Sequence, residues 1–248
     1  MYDPTNGWSA YILKGGPGTG KTTCARILAK AVNCFNPIDG APCCECEACR
    51  GIDNGTLLDV TEMDAASNSR VDDVRALLEE AIYTPSVLRK RVYIIDEVHM
   101  LSTGAFNALL KTLEEPPARV TFILATTEQH KFPVTIVSRC QNFVFRQIPE
   151  PVLESHICDV LNREGRPFDP EAARLIARRA AGSVRDSMSL LGQVLALGCL
   201  PGEPLTAAQA RNVLGLAGSE MLGGFIDALA RQDTSSVTRL VRELLAQG

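Results

Sequence analysis

The feature that most constrains this chain is Gly15-Gly-Pro-Gly-Thr-Gly-Lys-Thr22. It matches G-x-x-x-x-G-K-[ST]. It lies between Ala10–Lys14 (AYILK), which reads as a strand, and Gly20–Asn33, which reads as a helix. A glycine loop in that setting turns backbone N–H groups toward phosphates, with the positive end of the helix dipole behind them. Lys21 is expected to reach the β- and γ-phosphates, and the Thr22 hydroxyl to bind Mg²⁺. The candidate nucleotide-binding residues are Gly15, Gly16, Pro17, Gly18, Thr19, Gly20, Lys21, Thr22 and Thr23. Such a loop needs a second acid, and Tyr93-Ile-Ile-Asp-Glu-Val-His99 supplies it. Apolar residues set a strand, and Asp96 emerges at its carboxyl end, where ligands bind in open α/β sheets. Asp96 is expected to hold Mg²⁺ through water, and Glu97 to orient or deprotonate the attacking water. The bland alternatives are a glycine turn beside an unrelated lysine and two acids that merely end a strand.

The rest of the first half fits an α/β fold. Strands are expected at Leu57–Asp64, Arg91–Asp96, Val120–Thr126 and Asn142–Arg146, and helices at Val71–Tyr83 and Thr103–Leu113. In the first of these helices Val71, Val74, Leu77, Leu78 and Ile82 share one face. Near-continuous apolar strands alternating with helices imply a parallel sheet covered on both faces. After Gln147-Ile-Pro-Glu-Pro151 the chain turns Ala-, Leu- and Arg-rich and reads as all helix. The expected helices are Pro151–Arg163, Pro170–Ala181 and Val184–Leu197, with more from Thr206. Boundaries near 148 and 204 give three segments: 1–148, 149–204 and 205–248.

Nine cysteines in 248 residues need an explanation, and five lie in Cys34-Phe-Asn-Pro-Ile-Asp-Gly-Ala-Pro-Cys-Cys-Glu-Cys-Glu-Ala-Cys49. Disulfides, redox chemistry, a metal and chance compete. The chain opens without a basic stretch leading into an apolar core, and no apolar run approaches a membrane span. The expected location is therefore cytoplasmic, which argues against a disulfide framework. The loop lacks a thioredoxin-like setting for redox chemistry. Cys34, Cys43, Cys46 and Cys49 form C-x8-C-x2-C-x2-C, a spacing that suits tetrahedral Zn²⁺, with Cys44 as the surplus thiol. Cysteines 24, 140, 158 and 199 read as small packed hydrophobes. The net charge of −4 argues against strong nucleic-acid binding by bulk charge alone.

In this order, KGGPGTGKTT, IIDEVHMLS, FNALLKTLEEPP, LATTE, VSRC and GSVRDS closely resemble the γ/τ subunits of bacterial DNA polymerase III, the AAA+ ATPases of the sliding-clamp loader. The similarity runs from about Tyr11 to the end. It implies an AAA+ P-loop domain with an inserted structural zinc knuckle at the four cysteines, a helical lid, and the start of an all-helical collar. It also implies that Thr126 is sensor 1, reading the γ-phosphate. Arg139 would be an arginine finger given to a neighbouring subunit's ATP, and Arg185 a sensor 2 in the lid. Arg70, after Ala65-Ala-Ser-Asn-Ser, and Lys111 would face a DNA chamber. The implied cofactors are ATP, Mg²⁺ and Zn²⁺. The implied partners are the delta and delta-prime subunits, further γ/τ copies, the sliding clamp and primer–template DNA, with no membrane. Members of this family carry a longer segment before the P-loop and, in the τ form, a long tail, so the chain is expected to be a fragment. The implied activity is ATP hydrolysis that drives clamp loading, without a polymerase site. A nucleotide-locked scaffold subunit and another AAA+ DNA-remodelling motor are the alternatives; the intact Lys21, Asp96 and Glu97 argue against the first and the cysteine loop against the second.

Overall fold

The computed structural model describes residues 2–3, 7–128, 131, 133–198, 202–216 and 225–247. The chain forms two compact units, 1–147 and 148–248. Cys199 lies outside the described residues.

Unit one opens with a short antiparallel pair, β1 (Tyr2–Asp3) and β2 (Gly7–Trp8). Its sheet is built from β3 (Ala10–Gly15), β4 (Val60–Asp64), β5 (Arg91–Asp96), β6 (Val120–Thr126) and β7 (Gln141–Phe145). The order is β4-β5-β6-β3-β7, and every neighbouring pair is parallel. All five carboxyl ends therefore point to one edge. Among the described residues, these strands are connected by α1 (Lys21–Asn33), α2 (Glu47–Asp53), α3 (Val71–Glu80), α4 (Thr103–Glu114) and α5 (Val134–Val137).

Strand residues alternate between two cores, as the two-residue side-chain period requires. Tyr93, Ile95, Phe122 and Leu124 pack with Val74 and Leu77 of α3 and Phe106 and Leu109 of α4. Val92, Ile94, Ile123 and Ala125 pack with Ala25 and Ala29 of α1 and Ala48 and Ile52 of α2. Every residue of β6 is buried, which is why its sequence shows no polar alternation. The Tyr93 and Phe122 rings stack across β5 and β6 with centroids 5.5 Å apart.

Two expectations shift. The strand expected from Leu57 begins at Val60, because Leu57 and Leu58 precede the paired stretch and Leu58 is exposed. The helix expected to reach Tyr83 ends at Glu80, so Ile82 does not share the buried face and stands exposed.

Unit two packs α6 (Glu150–Arg163), α7 (Pro170–Arg179), α8 (Val184–Gly198) and α9 (Ala207–Val213) around one core. Leu153, Ile157, Ile176, Ala177, Leu191 and Val194 fill it, and Leu205, Ala210 and Leu214 belong to the same core. Asp169 caps α7 by accepting from the Glu171 N–H. Thr206 and Gln209 form a reciprocal capping box at α9. Residues 225–230 are helical, and α10 (Thr234–Gln247) follows. No helix among the described residues is long and apolar enough to cross a membrane.

Asp59, directly before β4, pins the connection between α3 and β5. Its buried carboxylate accepts N–H bonds from Ser86 (2.8 Å), Val87 (2.7 Å) and Leu88 (2.9 Å), with Arg91 at 3.6 Å. Burial alone raises its pKa, but the three N–H donors and Arg91 outweigh that and hold it below the ordinary value. Such a group stabilises the fold above about pH 4, and the contribution is lost as pH falls through the folded value. Asp59→Asn is expected to cost about 1.5–3 kcal/mol at neutral pH. Its stability should also fall less steeply than the parent's below about pH 4. Urea unfolding across the acid range checks this; parallel curves would show that Asp59 does not carry the acid dependence.

Candidate functional site

The loop between β3 and α1 is shaped by where β3 ends. A Cβ at Gly15 would lie 2.3 Å from the Phe145 carbonyl oxygen on β7, so only glycine fits beside that strand. Gly18 and Gly20 take left-handed backbone angles, φ 67° and 92°, and Gly20 leads directly into α1. The Thr19 hydroxyl donates to the Gly16 carbonyl at 2.8 Å and tightens the turn. Lys21 is almost wholly buried, and its Nζ donates to the carbonyls of Gly15 (2.9 Å) and Gly16 (2.8 Å). Those contacts offset the cost of burying its charge.

β5 delivers the acids to the same edge. Thr22 Oγ1 donates to Asp96 Oδ2 at 2.7 Å, across 74 positions of sequence. The other oxygen, Oδ1, accepts the Glu97 N–H at 2.9 Å. A hydroxyl and a carboxylate brought together in this way are hard oxygen donors of the kind Mg²⁺ takes. Glu97 adopts a left-handed conformation, φ 46°, which is uncommon for a residue with a Cβ and turns its side chain toward the end of β6. There Oε2 accepts from the Thr127 N–H (3.2 Å) and the Thr127 hydroxyl (2.8 Å). Thr126, the last residue of β6, is fully buried and pairs in register with Lys14. Its Oγ1 accepts the Glu128 N–H at 3.1 Å. The sequence singled out Thr126 but neither Thr127 nor His99, whose Nδ1 lies 3.2 Å from Glu97 Oε2. Only the folded β5–β6 neighbourhood shows either role.

The other expected site residues fall elsewhere. Arg139 lies in the turn after α5, half-buried, and donates to Glu114 Oε1 and to the Thr135 carbonyl, both at 2.7 Å. In unit two, Arg185 is in the first turn of α8, whose start is capped by Ser183 Oγ accepting from the Asp186 N–H. Arg70 and Lys111 are exposed, at the N-cap of α3 and on α4. In the stretch before Arg70, the Ser67 hydroxyl and the Asn68 amide already bond Asp64.

The four expected cysteines do converge. Cys34 ends α1, Cys46 starts α2 and Cys49 lies within α2. The sulfurs of Cys34, Cys43, Cys46 and Cys49 all lie within 4.8 Å of one another. Four thiolates about one Zn²⁺ at about 2.3 Å require sulfurs at spacings of this order, so the residues fit the ion. Backbone N–H groups of Phe35 and Cys49 pull the Cys46 thiol down to about 6, and the Cys43 N–H lowers that of Cys34. Burial pushes Cys49 up to about 12. Cys44 is exposed and points its sulfur to the Pro42 carbonyl instead. A Lys30–Asp53 ion pair at 2.8 Å ties α1 to α2 beside the cluster. Of the remaining cysteines, Cys140 is buried, while Cys24 and Cys158 are half-buried against the cores.

Residues 5–149 match the family described as DNA polymerase III, delta subunit, and residues 152–199 match the DNA polymerase III clamp loader subunit ATPase lid domain. The chain is 45% identical over 240 residues to the DNA polymerase III subunit tau of Bacillus subtilis, covering 96% of this chain and 42% of that one. It is 43% identical to the Escherichia coli subunit tau, covering 96% and 37%. The chain thus spans less than half the length of these relatives. Among solved structures, the Thermotoga maritima RuvB Holliday junction branch migration motor matches with a TM-score of 0.60 at 18% identity, covering 85% of this chain and 62% of that one. That likeness shows a shared fold.

The close approach at Gly15 yields a direct check. Gly15→Ala must push β7 away from β3, because the contact is with backbone. It is expected to cost about 1–3 kcal/mol, the range for overpacking. Denaturant unfolding measures it, and a variant as stable as the parent would show that β7 can yield freely.

Proposed function

The chain belongs to the DNA polymerase III clamp-loader subunit family, and from that premise we propose that it is an ATP-hydrolysing motor subunit that loads a sliding clamp onto primed DNA. The observation that carries the reading is the Thr22–Asp96 hydrogen bond at the mouth of the phosphate loop, with Lys21 folded onto the same loop. Backbone N–H groups of residues 18–22 and the α1 dipole would bind the phosphates. Lys21 would exchange its carbonyl partners for β- and γ-phosphate oxygens. Thr22 and Asp96 would hold Mg²⁺, which supplies neutralisation of charge on the β- and γ-oxygens. Glu97 takes a proton from water as the water oxygen bonds to the γ-phosphorus. The bond from that phosphorus to the bridging oxygen breaks, giving ADP and phosphate.

Thr126 would read the γ-phosphate, Arg139 would leave Glu114 to serve a neighbouring subunit's ATP, and Arg185 would report nucleotide to the lid. A guanidinium suits the finger because it stays charged and can span two phosphate oxygens. Arg70 and Lys111 would contact DNA backbone. The partners would be delta and delta-prime subunits, further copies of this chain and the clamp. We assign 1–148 to the ATPase and the segment from 149 to the lid; α9 shares the lid's core, so the start of the collar, expected at 205, falls after α9.

Glu97→Gln keeps the shape of the side chain and removes the base. It is expected to retain ATP affinity and lose turnover by about a hundredfold or more, whereas Lys21→Ala weakens binding itself. Nucleotide titration together with steady-state hydrolysis separates the two, and parental turnover in Glu97→Gln would sink the assignment of the base.

The cysteine cluster is assigned to one structural Zn²⁺, closed by four thiolates. Elemental analysis should find one zinc per chain. Cys46→Ser is expected to abolish it and Cys44→Ser to leave it. Equal loss from both would mean that Cys44 belongs to the ligand set.

A further inference from the structure

His99 is a buried titratable side chain at the carboxyl edge that the chemistry above does not use. It lies in the short 3-10 turn Val98–Met100 directly after Glu97, and its side chain is only 6% exposed. Its ring meets groups from two strand ends. Nδ1 lies 3.2 Å from Glu97 Oε2 and 3.1 Å from Thr126 Oγ1. Nε2 lies 3.3 Å from Glu128 Oε1, a carboxylate that also pairs with Lys131 at 2.9 Å.

The consequence for Glu97 is geometric. The Thr127 N–H, the Thr127 hydroxyl and His99 Nδ1 all approach the same oxygen, Oε2. A glutamate side chain rotates about three bonds, and anchoring one oxygen fixes the direction of the other. Oε1 is then the oxygen presented to water. The consequence for Thr126 follows from counting lone pairs. Its Oγ1 accepts the Glu128 N–H, and an Nδ1–H would occupy the second lone pair. A hydroxyl that accepts twice has its own proton left to donate. An Nδ1–H is the assignment that serves both neighbours, since the Glu97 carboxylate can only accept.

We propose that His99 is a positioning residue whose Nδ1–H, shared between Glu97 Oε2 and Thr126 Oγ1, sets the base and the γ-phosphate-reading hydroxyl together. The inference rests on the reading of Glu97 as the base. It makes the Nδ1 contact, and not the approach of Nε2 to Glu128, carry turnover.

The two amide isosteres separate these contacts. The amide nitrogen of His99→Asn stands near the Nδ1 position, and that of His99→Gln near the Nε2 position. Both are made in the full-length protein assembled with its loader partners, and kcat, KM and the affinity for ATP are measured for each. His99→Gln is expected to lose about a hundredfold in kcat, the order of loss for a reacting group displaced by about 1 Å, with ATP affinity unchanged. His99→Asn is expected to keep most of the parent's kcat. Equal kcat in the two variants overturns the proposal, as does a loss of ATP affinity that parallels the loss of kcat, because either marks a merely structural ring. Glu97→Gln run alongside distinguishes the levels. If it turns over like the parent, the assignment of the base fails; if it is inactive while the His99→Asn and His99→Gln variants behave alike, only the role of His99 fails.

Discussion

The hydrogen bond between Thr22 and Asp96, 2.7 Å long, is the contact on which the site depends. Neither residue reaches the other by local structure. Thr22 is placed by the end of β3 and Asp96 by the end of β5, and β6 lies between those strands. The contact therefore exists only if three strands run parallel, in the observed register, with their carboxyl ends at one edge. Burial enforces that arrangement. Val92, Tyr93, Ile94 and Ile95 are inaccessible to solvent, as are Phe122, Ile123 and Leu124 beside them. Because side chains alternate faces, a slip of one residue would exchange the two cores and pull the acid out of reach.

α1 links this edge to the cysteine cluster. It carries Thr22 near its first turn and ends at Cys34, about 20 Å away at 1.5 Å per residue. Ala25 and Ala29 fix it to the sheet from within. Beyond them, Lys30 bonds Asp53 of α2, and the sulfurs of Cys46 and Cys49 close on that of Cys34. The knuckle thus braces the helix whose other end shapes the phosphate loop. A metal held there would fix the end of α1 that lies opposite the phosphate loop.

Much of this was legible in the sequence because it rests on local rules. β5 and β6 were readable to the residue, since uninterrupted β-branched and aromatic runs bounded by charge or polarity have few other readings. The glycine loop and the four cysteines were readable because their chemistry demands fixed spacing. What escaped depends on contacts across the fold. α2 was hidden because its short sequence, Glu47–Asp53, is dominated by the cysteines that the knuckle uses. Ile82 sat on the apolar face by periodicity, yet the helix stops two residues before it. His99 and Thr127 were silent because their significance is a shared partner, Glu97, reached only when the turn after β5 folds against the end of β6. The pairing of Arg139 with Glu114 is of the same kind: the residues are 25 positions apart, and no motif joins them.

These pairings also define what nucleotide must do on entering. Lys21 is held by two neutral carbonyls, Thr22 by Asp96, and Arg139 by a half-exposed carboxylate. Phosphate oxygens are charged and displace neutral carbonyls readily, because charge-assisted hydrogen bonds are roughly twice as strong. Lys21 can therefore exchange partners at a net gain. Arg139 differs, because leaving Glu114 exchanges one charged partner for another. An exposed ion pair of this kind is worth only about 0–1 kcal/mol, so the exchange is nearly balanced and a phosphate presented at the right place suffices to tip it. On the proposed reading that place belongs to a neighbouring subunit. The weakness of the Arg139–Glu114 pair is then what allows assembly, rather than nucleotide binding within one chain, to decide when the guanidinium moves.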